Sequence, residues 1–436
     1  MLKIDHPQIY IYSYQLSRKS PAKDSFIWTW VAHLWKYFSP QKDLDFPKEN
    51  LTYPLSEAKN FSCFNKIEGL LRFCRLDDST GIFVAIGSPE TNENKDVEIQ
   101  TIKEFNPNNL ILAESYQEWL GQTILITYKA KTYQKLSKDN LRQVADECLV
   151  HLLPQVTQRP QFYRATELFG SSIFEYSSPQ SQLQVLVYQV DDAIEKQLAS
   201  VIQILFELFY HRHKMAKAFI DSREIYNLGH DFDVVVKDFI AELENSILQE
   251  NQQSAQYLKE SIKQLLHDSL NYERTFQALE DFENTINIHV DNYQQKLTEM
   301  SDRLQLPPEA LTTFNLFIEK TAPYFQRQIQ GDLGYFKHGK DLITTAIASI
   351  RGIVEIEQTE IDKNLQDQIQ SVGVGITAGA IVASTSGLIT QPWSISTNKL
   401  PHPFIIASFL SISCSLGAWY VAKTWIQHKR KSNENR

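Results

Sequence analysis

Residues 368–398 read QIQSVGVGITAGAIVASTSGLITQPWSISTN and carry no charged side chain. Within them Ser371, Gly375, Gly379, Ala383 and Gly387 recur at a spacing of four. That spacing puts them on one face of a helix, and small side chains there let a second helix come close. A second uncharged stretch, 400–422, follows after Lys399. About 20 apolar residues cross a hydrocarbon core of about 30 Å. The two stretches therefore predict a transmembrane helical hairpin, with spans near 370–389 and 403–423. The alternative is a buried hairpin in a soluble core, but such helices rarely run so long without a charge. Ala407, Ser411 and Ser415 repeat the four-residue spacing in the second span. Either the two spans pack on each other through these faces, or copies of the chain do.

The flanks agree with a bilayer. Trp393 lies beyond the first span, and Trp419, Tyr420 and Trp425 cluster at the end of the second, where aromatic belts form. Lys423, Lys429, Arg430 and Lys431 follow the second span, while the loop between the spans offers Lys399. The positive-inside rule then puts the C-terminus in the cytoplasm and the loop outside. Two spans put the N-terminal part in the cytoplasm as well, as in an integral protein of the inner-membrane type. The opening residues Met1 to His6 lack the apolar core of a secretory leader, so none is expected. The run Phe26–Phe38 contains His33 and Lys36 and is too short to span. It reads as a core element, with a surface-seeking segment carrying Trp28, Trp30 and Trp35 as the alternative. Cys63, Cys74, Cys148 and Cys414 are scattered without metal-type pairing, as suits a reducing cytoplasm.

The chain of 436 residues is long enough for two or three structural units. Its net charge of −9 argues against a nucleic-acid partner, because binding a polyanion relies on neutralising phosphates. The fold class expected is an α+β membrane protein in four parts. Residues 1–188 form a cytoplasmic α/β domain, and residues 189–370 a helical bundle and stalk. Residues 371–425 form the hairpin, and 426–436 a basic tail that reads as disordered after Gln427. The runs 9–14 (IYIYSY), 81–86 (GIFVAI), 123–128 (TILITY) and 185–188 (VLVY) are rich in β-branched and aromatic residues and read as strands. Residues 137–153 have helical spacing, with Leu141, Val144, Ala145, Cys148 and Leu152 on one side. From about Asp191 the chain turns helical, and Leu198, Ile202, Leu205 and Phe209 share a face. Tyr272, Phe276, Leu279, Ile286, Val290, Tyr293, Leu297, Met300 and Leu304 keep spacings of three and four, with a gap at Glu283. That is a heptad seam of the coiled-coil or bundle type. Pro307 and Pro308 end this helix and begin the next, and Pro323, Gly334 and Gly339 predict further breaks. Ile343, Ile347, Ile350, Val354, Ile361 and Leu365 then form an apolar stripe that runs into the first span. A single helix from Asp341 to Ile389 would be roughly 70 Å long. It would serve either as a coupling rod for gating or as a spacer.

This order of parts resembles the CorA-like two-transmembrane cation-transporter superfamily, in which a cytoplasmic α/β domain and long helices precede a stalk, two spans and a basic tail. The resemblance covers most of the chain and is architectural. The family's Gly-Met-Asn motif closes its first span. Here the matching region is Ser384-Thr385-Ser386-Gly387-Leu388-Ile389-Thr390, in which Gly387 corresponds and Met and Asn are absent. The resemblance implies a homo-oligomer, a pentamer in that family, with first spans around a pore and transport of a small ion. The pore-lining candidates are Ser371, Thr377, Ser384 and Thr385, since hydroxyls can replace part of an ion's hydration shell. The helix-packing candidates are Gly375, Gly379, Ala383, Gly387, Ala407, Ser411 and Ser415. The other expectation is a membrane-anchored sensor or scaffold whose cytoplasmic domain binds a protein or small ligand.

Enzyme chemistry finds little support. Gly334–Asp341 approaches the phosphate-binding loop pattern but ends in Asp341, where a magnesium-binding hydroxyl belongs. The pairs His230-Asp231 and His267-Asp268, with His211 and His213 upstream, have the look of a metal phosphohydrolase, but Ser269-Leu270 replace the usual following residues. Residues 168–172 (LFGSS) lack the spacing of a nucleophile elbow. No cofactor, metal or catalytic residue is expected.

Overall fold

Strand β1 (Lys3–Leu16) sits in the middle of a large sheet, and its alternation organises the N-terminal region. Ile9 and Ile11 point to one face, Tyr10, Tyr12 and Tyr14 to the other, as a period of two requires. The structure, a computed structural model, describes residues 3–17, 26–41, 53–63, 67–88, 96–113, 118–129, 138–248, 255–386 and 403–434. After β1 come α1 (Phe26–Phe38), β2 (Lys59–Cys63), β3 (Ile67–Leu76), β4 (Ser79–Gly87), β5 (Asp96–Glu98) and β6 (Trp119–Lys129). Then follow α2 (Lys138–Leu152), β7 (Phe162–Leu168), β8 (Ser171–Tyr176) and β9 (Leu183–Val190). The sheet order is β2-β3-β4-β1-β6-β9-β8-β7, with β5 added beside β1. All pairings are antiparallel except β6 with β9. All four runs read as strands from the sequence lie in this sheet.

One sheet face carries Ile9, Ile11, Val84, Ile124, Ile126, Val185 and Val187. It forms a core with Trp28, Val31, Leu34 and Phe38 of α1 and Val144, Cys148 and Leu152 of α2. The run Phe26–Phe38 is thus a buried helix, its tryptophans under 10 % exposed. Burial of this many large apolar side chains, at about 1.5–3 kcal/mol each, holds the helices to the sheet.

The opposite face meets a helical layer. After α3 (Asp192–Ser200) come α4 (Ile202–Leu248) and α5 (Ala255–Leu304), then the short α6 (Thr312–Leu316), α7 (Ala322–Ser386) and α8 (Pro403–Glu434). Asp191 caps α3 by accepting from the Ile194 amide. Tyr12 and Tyr14 stack at a tilt on Phe206, Phe209 and Tyr210 of α4, and Phe209 in turn meets Phe314 of α6. The first part of α4 is therefore enclosed on nearly all sides. The heptad seam is one face of α5, with Tyr272, Leu279, Ile286, Tyr293 and Met300 fully buried. Its gap is filled by a polar contact, since Glu283 accepts from Gln330 of α7 at 2.9 Å.

By contacts the chain forms two compact units. One is Met1–Asp233 with Tyr272–Gly339, and the other is Val234–Asn271 with Lys340–Arg436. In the second unit Val236, Ile240 and Leu243 of α4, Leu258 and Leu265 of α5, and Ile343, Ile347, Ile350 and Val354 of α7 are buried apolar positions. Ile361 and Leu365 continue the stripe in sequence but are more than half exposed.

Two expectations are corrected. Gly334 and Gly339 do not break the helix, because α7 runs through both of them. Pro323 falls in the first turn of α7, directly after a π-helical turn at Phe317–Thr321, where a missing N–H is tolerated. Gly339 serves packing: a Cβ there would meet the Tyr272 ring at 2.5 Å. The tail after Gln427 is helical as far as Glu434. Lys429, Arg430 and Lys431 are good helix formers and favour the negative end of the helix dipole.

Candidate functional site

The small-residue face of α7 is covered by α8 of the same chain. Ser371, Gly375 and Gly379 are buried at intervals of four, while Val372, Val374, Ile376, Thr377 and Ile381 between them are exposed. A Cβ on Gly375 would lie 2.8 Å from the Ser415 carbonyl oxygen and 2.9 Å from the Trp419 Cβ. A Cβ on Gly379 would strike the Ser415 side chain. Ser411 Oγ donates to the Gly379 carbonyl at 2.7 Å, a contact the backbones make only because no Cβ separates them. On α8, Ala407, Ser408, Ser411, Ser415, Ala418, Trp419, Ala422 and Ile426 are the partly covered positions among the described residues, one face of a helix at spacings of three and four. Trp419 therefore packs on α7, a role the sequence reading gave to an interfacial belt. Of α8, Ile405–Ile426 is long and apolar enough to cross a membrane and is almost wholly exposed.

The hydroxyls proposed for a pore are engaged locally. Ser371 Oγ donates to the Gln368 carbonyl at 2.9 Å, and Thr377 Oγ1 to the Gly373 carbonyl at 2.8 Å. Ser371 lies on the face toward α8 and Thr377 on the outer face. Ala383, Ser384 and Thr385 belong to the last turns of α7, but their side chains lie outside the described residues. Gly387 and the rest of 387–402 lie outside them altogether.

A second polar assembly went unread in the sequence. His211, Arg212, His213 and Lys214 are four consecutive basic residues of α4, all buried. A helix enclosed on all sides must bury whatever it carries, and buried polar groups require partners. His213 Nε2 donates to Thr123 Oγ1 at 2.8 Å, Thr123 to Gln184 Oε1 at 3.1 Å, and Gln184 Nε2 to Glu175 at 2.6 Å. Arg164 closes this chain on Glu175 at 2.6 Å. Lys214 reaches Asp78 at 2.6 Å. Glu207 accepts from Tyr53, Gln203 and Lys296 at 2.6–2.8 Å. His211 and His289 of α5 face each other with Nδ1 atoms 2.9 Å apart. Burial pushes His211 down to about 4, with Glu207 opposing it, and His289 to about 3 with help from His211. Both are neutral at pH 7. The signal in the sequence was a basic run flanked by apolar residues on every side of one helix.

The remaining motifs do not converge on chemistry. His267 is exposed while Asp268 beside it is buried and accepts from Gln264, with burial raising its carboxyl. Neighbours on a helix point about 100° apart, so the two side chains of this pair enter different surroundings. His230 stacks on Tyr335. Gly334–Asp341 is helical and forms no loop. Among the described residues no group of three His, Cys, Asp or Glu side chains could hold a metal. No protein-family model matches the chain, and no curated protein matches it.

Proposed function

We propose that this protein is a membrane-tethered binding module. Residues near 370–389 and 403–423 form an anchoring hairpin, and the sheet with its helical layer stands on the cytoplasmic side as a sensor or scaffold for a ligand or partner. The observation that carries this reading is the packing of Gly375 and Gly379 on Ser411, Ser415 and Trp419 of the same chain. The close-approach face is spent within one hairpin. The outward face of α7 from Val372 to Ile381 is apolar apart from Thr377, whose hydroxyl is bound to its own helix. A pore-lining helix needs a polar stripe facing the axis.

A second reading, conduction in a divergent CorA-like oligomer, is favoured by the unbroken course of α7 from Ala322 to Ser386, which would carry movement to a span. Two measurements separate the readings. Membranes containing the full chain are washed with alkaline carbonate, and an anchored protein stays in the pellet. The purified protein is then weighed in detergent and assayed for cation flux in liposomes. An oligomer without flux is compatible with a scaffold. A closed pentamer with saturable flux, lost on Thr377→Val, would replace the anchor reading by the transporter.

A further inference from the structure

We infer that a cleft at the end of the parallel strand pair β6 and β9 binds an uncharged, polyhydroxylated small molecule such as a mono- or disaccharide. The cleft has a volume of about 470 Å³, within the range of small-molecule sites. Six of its ten lining residues are carboxamides: Asn108, Asn109, Gln122, Gln155, Gln158 and Gln182. The others are Trp119 and small or aliphatic residues, and none of the ten is ionisable.

Three of the amides are building material, and one of them, Asn109, accepts from Asn106 Nδ2 at 3.5 Å. Gln122 donates to Ser13 Oγ and the Ile111 carbonyl and accepts from the Ala113 amide. Gln182 donates to the Trp119 carbonyl at 2.8 Å, which leaves its own oxygen available. Asn108, Gln155 and Gln158 sit at the rim with exposed side chains. Asn108 and Asn109 both adopt left-handed backbone angles, φ 52° and 60°, a region that asparagine enters more readily than most other residues with a Cβ. Such conformations persist where the surroundings over-determine them, and they cluster at binding sites.

The chemistry follows from what the lining offers and lacks. Each free carboxamide presents a donor and an acceptor side by side, which matches a hydroxyl or a vicinal diol. Among the described residues of the lining there is no cation to neutralise a phosphate or carboxylate, and no anion to hold an amine. Trp119 is only 3 % exposed, so its ring gives little platform for a nucleobase. A neutral polyol is the class that remains.

This inference rests on the binding-module reading but not on the anchor, so the two fail separately. Loss of the protein from carbonate-washed membranes would sink the anchor alone. The test is titration calorimetry on the detergent-purified full chain with D-glucose, sucrose, uridine and glucose 6-phosphate. We expect saturable binding of glucose or sucrose, no gain from the phosphate, and weakening of about tenfold in Gln155→Ala/Gln158→Ala, the loss of one or two hydrogen bonds. Both positions are exposed, so the variant retains the wild-type melting temperature. Asn108→Gly, which relieves the backbone, checks that result by a second route and should weaken binding as well. Absence of saturable binding of either sugar up to about 20 mM, well beyond a millimolar Kd, would overturn the proposal. So would unchanged affinity in both variants, or tighter binding of uridine or glucose 6-phosphate than of either sugar.

Discussion

At the scale of single residues, the absence of a Cβ decides the hairpin. Gly379→Leu would drive a side chain into Ser415. Overpacking of this kind costs about 1–3 kcal/mol. We expect Gly379→Leu to lower the melting temperature of the detergent-purified protein and Thr377→Val, on the exposed face, to leave it unchanged. Equal effects of the two would mean that the small face is not what joins the helices. Charge burial decides a second position. Glu207 and Lys296 are both mostly enclosed, 2.7 Å apart. Lys296→Met would strand the carboxylate and should cost about 3 kcal/mol in denaturant unfolding. The double variant Glu207→Gln/Lys296→Met should recover much of that loss, since the uncompensated charge is then removed too.

At the scale of elements, α4 and α5 carry a built-in pH response. His211 and His289 are held neutral by burial, at about 4 and about 3 against an ordinary 6.5. The unfolded chain takes up these protons below about pH 6.5, whereas the folded chain resists until far lower. Stability is therefore complete above pH 6.5 and falls as pH drops from there toward 4. For His211 alone the loss is roughly 2 kcal/mol between pH 6.5 and pH 5. Urea unfolding at the two pH values should show it, and His289→Gln should flatten the difference. Helix α7 divides along its length in a way that hydrogen exchange can read. Ile343, Ile347, Ile350 and Val354 are buried, and residues 361–366 and 368–370 are exposed all round. Amides in 358–369 should exchange faster than those in 343–354, because local opening there breaks few tertiary contacts. Equal protection would mean that a partner or a second copy covers the exposed turns.

At the scale of the whole molecule, the exposed apolar surface of α8 separates two fates. Ile405, Phe409, Leu410, Ile412 and Leu416 are each about half exposed or more, a surface that water alone would not leave uncovered. Replacing Phe409 and Ile412 by lysine puts two charges into the helix that is long and apolar enough to cross a bilayer, at about 2.5–3.5 kcal/mol each if it does so. The full chain should then become extractable by carbonate. Retention in the pellet would assign the tethering to another part of the chain.

Sequence alone determined part of the elements and their order, four of the nine described strands among them. Strands at 9–14, 81–86, 123–128 and 185–188, the buried helix 26–38, the seam of α5 and the apolar C-terminal helix follow from periodicity, which is a local property of the chain. Tertiary structure decided what those elements touch. Whether Gly375 and Gly379 face α8 of the same chain or another copy was open at a spacing of four. Gly339 looked like punctuation until Tyr272 arrived from another helix to need its missing Cβ. The basic run 211–214 carried no reading of its own, and only enclosure between the sheet and α5 made it a partnered core. The rim of carboxamides is gathered from residues between 108 and 182 that no local pattern relates. Periodicity reports which face of an element is apolar, but the identity of the neighbour depends on long-range contacts that sequence spacing does not encode.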